Sequence, residues 1–196
     1  LVNLKGEAFK IPFTFDFNQN INLTKNKKIN IGAKKLKLNI YNESDKKNEN
    51  LISGLNIISI LNSKIYTEYN IKDNLVNFKS SNSRIKNSKI FYNGQLSINP
   101  FDLNIYATLE NQKLSELLDS NSMIAEFIKS KILFNKNISV KASVVSNFNK
   151  NEKFFNSANI NFNIMNGKIN FDQTKFFNKK IGLLEIDSSN LFFEND

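Results

Sequence analysis

The sequence contains no cysteine and no histidine. Without cysteine, neither a disulfide nor a thiolate metal site can form within this segment. Without histidine, the commonest general base and the commonest metal ligand are both missing, and neither a Ser-His nor a Cys-His pair is possible. Only six glycines are present, and none of them forms a glycine-rich phosphate loop. We therefore expect a protein that is not an enzyme and that carries no cofactor and no metal.

Arginine is almost absent as well. The net charge of +9 comes from 26 Lys and a single Arg, Arg84, against 18 acidic residues. The lysines lie in scattered short pairs such as Lys27-Lys28 and Lys179-Lys180. Nucleic-acid-binding proteins concentrate their basic residues on one face and favour arginine for forked contacts. We therefore predict no nucleic-acid partner. Scattered lysines can still attract an anionic membrane surface as diffuse charge.

Long hydrophobic runs are missing too. No stretch approaches the roughly 20 apolar residues that a membrane-spanning helix needs. The chain starts at Leu1, without a methionine, and enters strand-like sequence almost at once. We expect these 196 residues to be one segment of a longer protein, with any membrane anchor outside it.

The most informative pattern that is present is a strict two-residue alternation near the start of the chain. Phe9, Ile11, Phe13, Phe15 and Phe17 alternate with Lys10, Pro12, Thr14 and Asp16. Because successive side chains of a strand point to opposite faces, this run predicts a strand with one apolar and one mostly polar face. The same pattern recurs along most of the chain, giving about a dozen predicted strands.

Two predicted turns connect the strands, and one segment departs from the strand pattern. Asn93-Gly94 and Asn166-Gly167 predict tight type I′ hairpin turns, because both residue types tolerate positive φ. Between residues 112 and 133 the apolar spacing changes to three and four, which predicts a helical insertion whose apolar stripe caps the sheet. The residues of this stripe are Leu114, Leu117, Leu118, Ile124 and Ile128.

Residues 1–196 are thus predicted to form a single all-β segment with one helical insertion. Short connections favour an extended, curved antiparallel β-sheet with meander topology. If that sheet curls into a groove, acyl chains suit it, since apolar burial is worth about 0.8 kcal/mol per methylene. A β-sandwich or closed barrel is the alternative. The residues predicted to line the groove are Phe13, Phe15, Phe17, Leu36, Leu38, Ile40, Ile98, Leu103, Ile105, Ile160, Phe162, Ile164, Ile169 and Phe171.

Two segments add a family resemblance. Residues 94–118 (GQLSINPFDLNIYATLENQKLSELL) and 160–171 (INFNIMNGKINF) resemble strand pairs and hairpins of the AsmA-like envelope proteins of Gram-negative bacteria, the AsmA, TamB and YhdP group. The resemblance covers about the second half of the chain. It implies a long β-groove, anchored in the inner membrane and extending into the periplasm, that carries phospholipid between the inner and outer membranes and so contributes to outer-membrane biogenesis. It implies no catalytic residues.

The sequence therefore predicts a non-enzymatic envelope segment that binds and conducts phospholipid acyl chains along a hydrophobic β-groove. Phospholipid is the expected partner, the periplasm the expected location, and the inner-membrane anchor is expected outside this segment. The alternative from another class is a structural or adhesive β-sandwich or solenoid domain of a secreted protein.

Overall fold

The fold is all-β, as predicted. A computed structural model describes residues 1–8, 11–20, 26–34, 37–85, 88–112, 132–148 and 154–192. These residues form fifteen strands and one turn of 3₁₀ helix, Ile132–Phe134, and no α-helix occurs among them. The chain divides into two compact units, Leu1–Lys86 and Asn87–Asp196.

The first unit is an antiparallel meander of seven strands. They are β1 (Val2–Ala8), β2 (Ile11–Asn20), β3 (Asn26–Ala33), β4 (Leu38–Asn48), β5 (Leu51–Ile60), β6 (Ser63–Lys72) and β7 (Leu75–Ile85). Each strand pairs with the next one along the chain. Within the described residues β1 hydrogen-bonds to β2 alone, so this meander is not closed on itself.

The second unit contains the remaining eight strands. They are β8 (Ser88–Ser97), β9 (Asp102–Gln112), β10 (Ser139–Phe148), β11 (Ser157–Met165), β12 (Lys168–Asn170), β13 (Thr174–Asn178), β14 (Gly182–Ile186) and β15 (Leu191–Phe192). Strand β11 pairs with β10 on one side and with both β12 and β13 on the other. Strands β15 and β14 extend β12 and β13 respectively.

One strand pair corrects the prediction of a purely antiparallel sheet. Strands β9 and β10 are parallel, with Leu103 opposite Val140 and Ile105 opposite Ala142. Parallel neighbours need a long crossover, and the connection from Gln112 to Ser139 is the longest between successive strands of this unit. The helical insertion predicted at 112–133 falls in this connection. Gln112 ends β9, residues 113–131 lie outside the described part of the chain, and the 3₁₀ turn follows.

The two predicted hairpins have different outcomes. Asn166 and Gly167 have φ values of 54° and 73° and join β11 to β12, so the type I′ prediction is confirmed. The prediction for Asn93-Gly94 is wrong, because these residues lie inside β8 opposite Tyr106 and Ile105. An uninterrupted β8 keeps Ile90, Tyr92 and Leu96 on one face, and the chain turns after Ser97 instead.

The core of the second unit lies on one face of β9–β12. Val140, Ile164 and Ile169 form its buried cluster, and Ile164 is only 1% exposed. Leu133, Phe134 and Ile138, which follow or belong to the 3₁₀ turn, pack against this cluster. A Cβ added at Gly167 would lie 2.7 Å from the backbone oxygen of Phe134. The turn of the β11–β12 hairpin therefore sits directly against the segment that covers the core.

Removing side-chain volume at Ile164 tests this core. Ile164→Ala should lower the free energy of unfolding by about 2–5 kcal/mol, because the site is packed on all sides. Ile160→Ala is the matched control, since Ile160 lies in the same strand and on the same face but is only partly buried. Urea denaturation measures both. Equal losses for the two variants would contradict the assignment of the core to Val140, Ile164 and Ile169.

Candidate functional site

Five of the predicted groove residues share one face of the first unit. Paired residues on neighbouring strands project to the same side of a sheet. Phe15 lies opposite Leu4 and Ile31, and Ile31 lies opposite Ile40. Alternation along β2 and β4 then places Phe13, Phe17 and Leu38 on that side too.

This face carries apolar rows that run across the strands. The central row continues from Ile40 to Ile58 and Ile65. We call the following set the apolar face of the first unit: Val2, Leu4, Phe13, Phe15, Phe17, Ile29, Ile31, Leu38, Ile40, Ile58, Ile60 and Ile65.

Within the first unit most of the apolar face is only partly buried. Ala33 is the one buried hydrophobic residue in the described part of the first unit. The other hydrophobic residues whose exposure is described there are partly buried or exposed, and Leu4 is 55% exposed. Large apolar surfaces of this kind usually mark a binding site. In the second unit, by contrast, a similar apolar face is covered by other residues, so that Ile164 is buried.

The apolar face becomes polar toward one end of its strands. The row that contains Phe17 and Ile29 continues as Asn42, Asn56 and Thr67. The Nδ2 of Asn42 donates to the Tyr69 hydroxyl at 2.9 Å, so this polar row is ordered by its own contacts.

Lysines occupy the far end of the same side. Lys27 lies opposite Gln19 and Ser44, and Lys46 lies opposite Ile52. Both lysines are exposed. Over β2–β4 the face thus changes from aromatic and aliphatic side chains, through amides, to ammonium groups, whereas the row of Lys46 continues on β5 and β6 as Ile52 and Ile71.

Aromatic rings lie close to two glycines of this side. A Cβ at Gly6 would come within 2.7 Å of the Phe13 ring, and a Cβ at Gly54 would come within 3 Å of the Tyr69 ring. Each glycine therefore makes room for the ring on the neighbouring strand.

The opposite side of the first unit carries an ionic network. Glu43 accepts hydrogen bonds from Asn26 Nδ2 at 2.8 Å and from the Tyr41 hydroxyl at 2.7 Å, and Lys28 Nζ lies 3.3 Å from its carboxylate. These contacts lower the pKa of Glu43 from its ordinary value of 4.5 to about 2, with the Asn26 bond the largest cause. The same contacts raise the pKa of Lys28.

In the second unit the predicted residues also share a face, but several are part of its core. Leu103, Ile105, Phe162, Ile164, Ile169 and Ile160 project to one side of β9–β12. Ile164 and Ile169 are buried, and Leu103, Phe162 and Phe171 pack against them. Ile98 lies in the turn after β8, exposed, because that strand ends at Ser97.

Some predicted residues lie outside the part of the chain that the structure describes. These are Leu36 of the groove lining and the five residues of the capping stripe, Leu114, Leu117, Leu118, Ile124 and Ile128. Their predicted roles stay predictions.

Sequence reasoning missed Ile58 and Ile65 as members of the apolar face. Strand β5 has apolar residues on both of its sides, since Leu55 and Ile57 alternate with Ile58 and Ile60. Alternation alone cannot choose a side for such a strand. The pairing of Ile58 with Ile40 makes the choice.

Two other features, a metal site and a membrane-spanning helix, are absent from the described ranges. In the described ranges, no group of three His, Cys, Asp or Glu residues is placed to hold a metal ion. None of the helical structure in those ranges is long and apolar enough to cross a bilayer. No protein-family model, no curated protein and no solved structure matches the chain.

The Glu43 network makes stability depend on pH. Because the folded-state pKa of Glu43 is lowered, its contribution is present above about pH 4.5 and is lost as the pH falls toward about 2. Glu43→Gln should therefore lower the urea midpoint at pH 7, and the gap to the unsubstituted protein should close progressively below pH 4.5. A gap of the same size at pH 7 and at pH 2 would show that charge plays no part.

Proposed function

We propose that the apolar face of the first unit binds phospholipid acyl chains and lets them move across the strands. The observation that carries the proposal is the apolar row Leu4, Phe15, Ile31, Ile40, Ile58 and Ile65, in which Leu4 is exposed and the other five side chains are only partly buried. Covering such a face with hydrocarbon is worth about 0.8 kcal/mol per methylene. The role is non-enzymatic.

The dimensions of the face suit an acyl chain that lies along the strands. Residues 13–17 of β2 span about 14 Å at about 3.4 Å per residue. One leaflet of a bilayer, half of a hydrocarbon core of about 30 Å, is about 15 Å thick. The row across β1–β6 is longer, about 24 Å at about 4.8 Å per strand. A lipid can therefore lie along the strands and have room to move across them.

The polar end of the face favours a phospholipid over an uncharged hydrocarbon. Lys27 and Lys46 would meet the phosphate, since an ammonium is a common partner for phosphate. Asn42 and Asn56 would meet the glycerol and ester region, where hydrogen-bond donors are useful. The acyl chains would then contact the Phe13, Phe15 and Ile31 end.

The surroundings of the protein follow from the resemblance to AsmA-like envelope proteins. We propose a periplasmic location between the inner and outer membranes, with an inner-membrane anchor outside this segment. The all-β fold supports this proposal, because such proteins are built from repeated strands. The lysine-rich composition is compatible with anionic lipid surfaces.

One observation favours the structural alternative for the second unit. Its core face is packed shut near Val140, Ile164 and Ile169 by the segment that contains Phe134. A β-sandwich-like or adhesive role needs such a closed core and no ligand. The first unit lacks this feature in its described residues, so lipid binding is proposed for the first unit.

A charge on each side of one strand tests the proposal. Ile58 belongs to the apolar face, whereas its neighbour Ile57 lies on the other side, opposite Tyr41 and Tyr66. Ile58→Asp should reduce co-purified phospholipid about tenfold or more, since a carboxylate among acyl chains costs at least about 1.4 kcal/mol. Ile57→Asp should leave the lipid content unchanged. Lipid mass spectrometry of the full chain, purified from a bacterial envelope fraction, gives the measurement.

Thermal denaturation of both variants provides the control. Retained folding with lipid lost from Ile58→Asp alone supports a lipid-binding face. Equal lipid loss in both variants, or no phospholipid on the unsubstituted protein, refutes the proposal in favour of the structural alternative.

A further inference from the structure

The second unit has a cavity of about 410 Å³, and three residues of the core face, Ile105, Ala142 and Phe162, contribute to its lining. Most of the side chains around it project from the face opposite Val140 and Ile164, and they are polar. Six of them belong to strands: Tyr106, Lys141, Ser143, Asn161, Asn163 and Asn170. The volume lies within the range of about 300–1,000 Å³ that is typical of small-molecule sites.

Cross-strand pairing sets these side chains in two neighbouring rows. Tyr106, Ser143 and Asn161 form one row across β9, β10 and β11. Lys141 and Asn163 belong to the other row, which continues to Asn170 of β12. Directly paired side chains are about 5 Å apart. The rows therefore present a compact patch of three amides, the Ser143 hydroxyl, one ammonium and the phenol ring of Tyr106.

One end of the cavity is built from an ordered turn. Asp172 Oδ1 accepts hydrogen bonds from the backbone N of Ser189 at 2.6 Å and from its hydroxyl at 2.9 Å. Asp172 Oδ2 accepts from Asn170 Nδ2 at 2.6 Å, and Asn161 Nδ2 donates to the backbone oxygen of Gln173 at 3.0 Å. The carboxylate is thus engaged by the protein itself, which makes it a poor ligand for a cation.

Two groups at the cavity are left without protein partners among the described residues. Asn163 Oδ1 is shielded from solvent and accepts no hydrogen bond there. Lys141 Nζ forms no ion pair with any described carboxylate. A shielded acceptor without a partner is rare in folded proteins and calls for an explanation.

Tyr106 adds an aromatic surface to this polar patch. Its side chain is 62% exposed although it stands in the middle of β9. An exposed ring can pack against the C–H face of a sugar while neighbouring polar groups bond to the hydroxyls. The ring and the amides at this cavity therefore offer the two kinds of contact that a pyranose needs.

We infer that this cavity binds a neutral carbohydrate of one to three sugar units. Its one lysine and one aspartate balance in charge, which favours a neutral ligand over an anion or a cation. Amides both donate and accept hydrogen bonds, as vicinal sugar hydroxyls do. The inference is independent of the lipid proposal, because it concerns the other unit and a different set of side chains.

Saturation-transfer difference NMR with maltotriose and with triacetylchitotriose as probes tests the inference on the full chain. At least one of the two sugars should give a transfer signal. Tyr106→Ala should reduce that signal at least about fivefold, whereas Tyr106→Phe, which keeps the ring, should retain most of it. Asn147→Ala is the matched control, since Asn147 is exposed on the same side of β10 but outside the cavity.

Asn163→Ala supplies a second readout that a purely structural residue would not produce. Removing a shielded acceptor that lacks a partner should leave the urea midpoint unchanged or raise it, while the sugar signal falls. The inference is overturned if neither sugar gives a signal, or if the signal survives in Tyr106→Ala. It is also overturned if inorganic phosphate abolishes the sugar signal at millimolar concentration, which would make the cavity an anion site.

Discussion

Strand register is the constraint on which the rest of this structure depends. From β1 to β6 the pairing keeps Leu4, Phe15, Ile31, Ile40, Ile58 and Ile65 in one row. A slip of one residue in any pair would send the following apolar side chains to the opposite side. The network of Asn26, Lys28, Tyr41 and Glu43 joins β3 to β4 on the opposite side, and its contacts require the same register. Polar pairing on one side thus helps to maintain an apolar surface on the other.

In both units polar and apolar residues alternate along the strands, but the two resulting sides have different roles in each unit. In the second unit the chain returns after the parallel crossover, and Leu133, Phe134 and Ile138 pack against Val140, Ile164 and Ile169. The apolar side of the second unit therefore forms its core, and the polar side of the same unit borders the cavity beside Tyr106 and Lys141. In the first unit ion pairs and amide contacts occupy the polar side, while most of the apolar side is only partly buried. A ligand is therefore expected on the apolar side of one unit and on the polar side of the other.

Local patterns predicted the parts of the fold that depend on neighbouring residues. The alternation of Phe13, Phe15 and Phe17 was enough to assign β2 and its apolar side, and Asn166-Gly167 was enough to place a hairpin. The same dipeptide at 93–94 failed, because continuous pairing of β8 with β9 outweighs the turn preference of two residues. Three other features depend on contacts between segments that are distant in the sequence. They are the parallel pairing of β9 with β10, the orientation of the two sides of β5 and the burial of Ile164. No local pattern contains that information. The cavity was missed for the same reason, since its polar residues come from four strands and a turn.

Site-specific photocrosslinking tests the central claim, that one side of the first unit contacts acyl chains, most directly. Benzoylphenylalanine would be placed at position 15, 40 or 58 on the apolar face and at 14, 41 or 59 on the opposite side, and the protein irradiated in envelope membranes. The account predicts phospholipid adducts, identified by mass, from the first three positions and none from the second three. Equal adducts from both sets, or crosslinks from positions 15, 40 and 58 to protein alone, would contradict it.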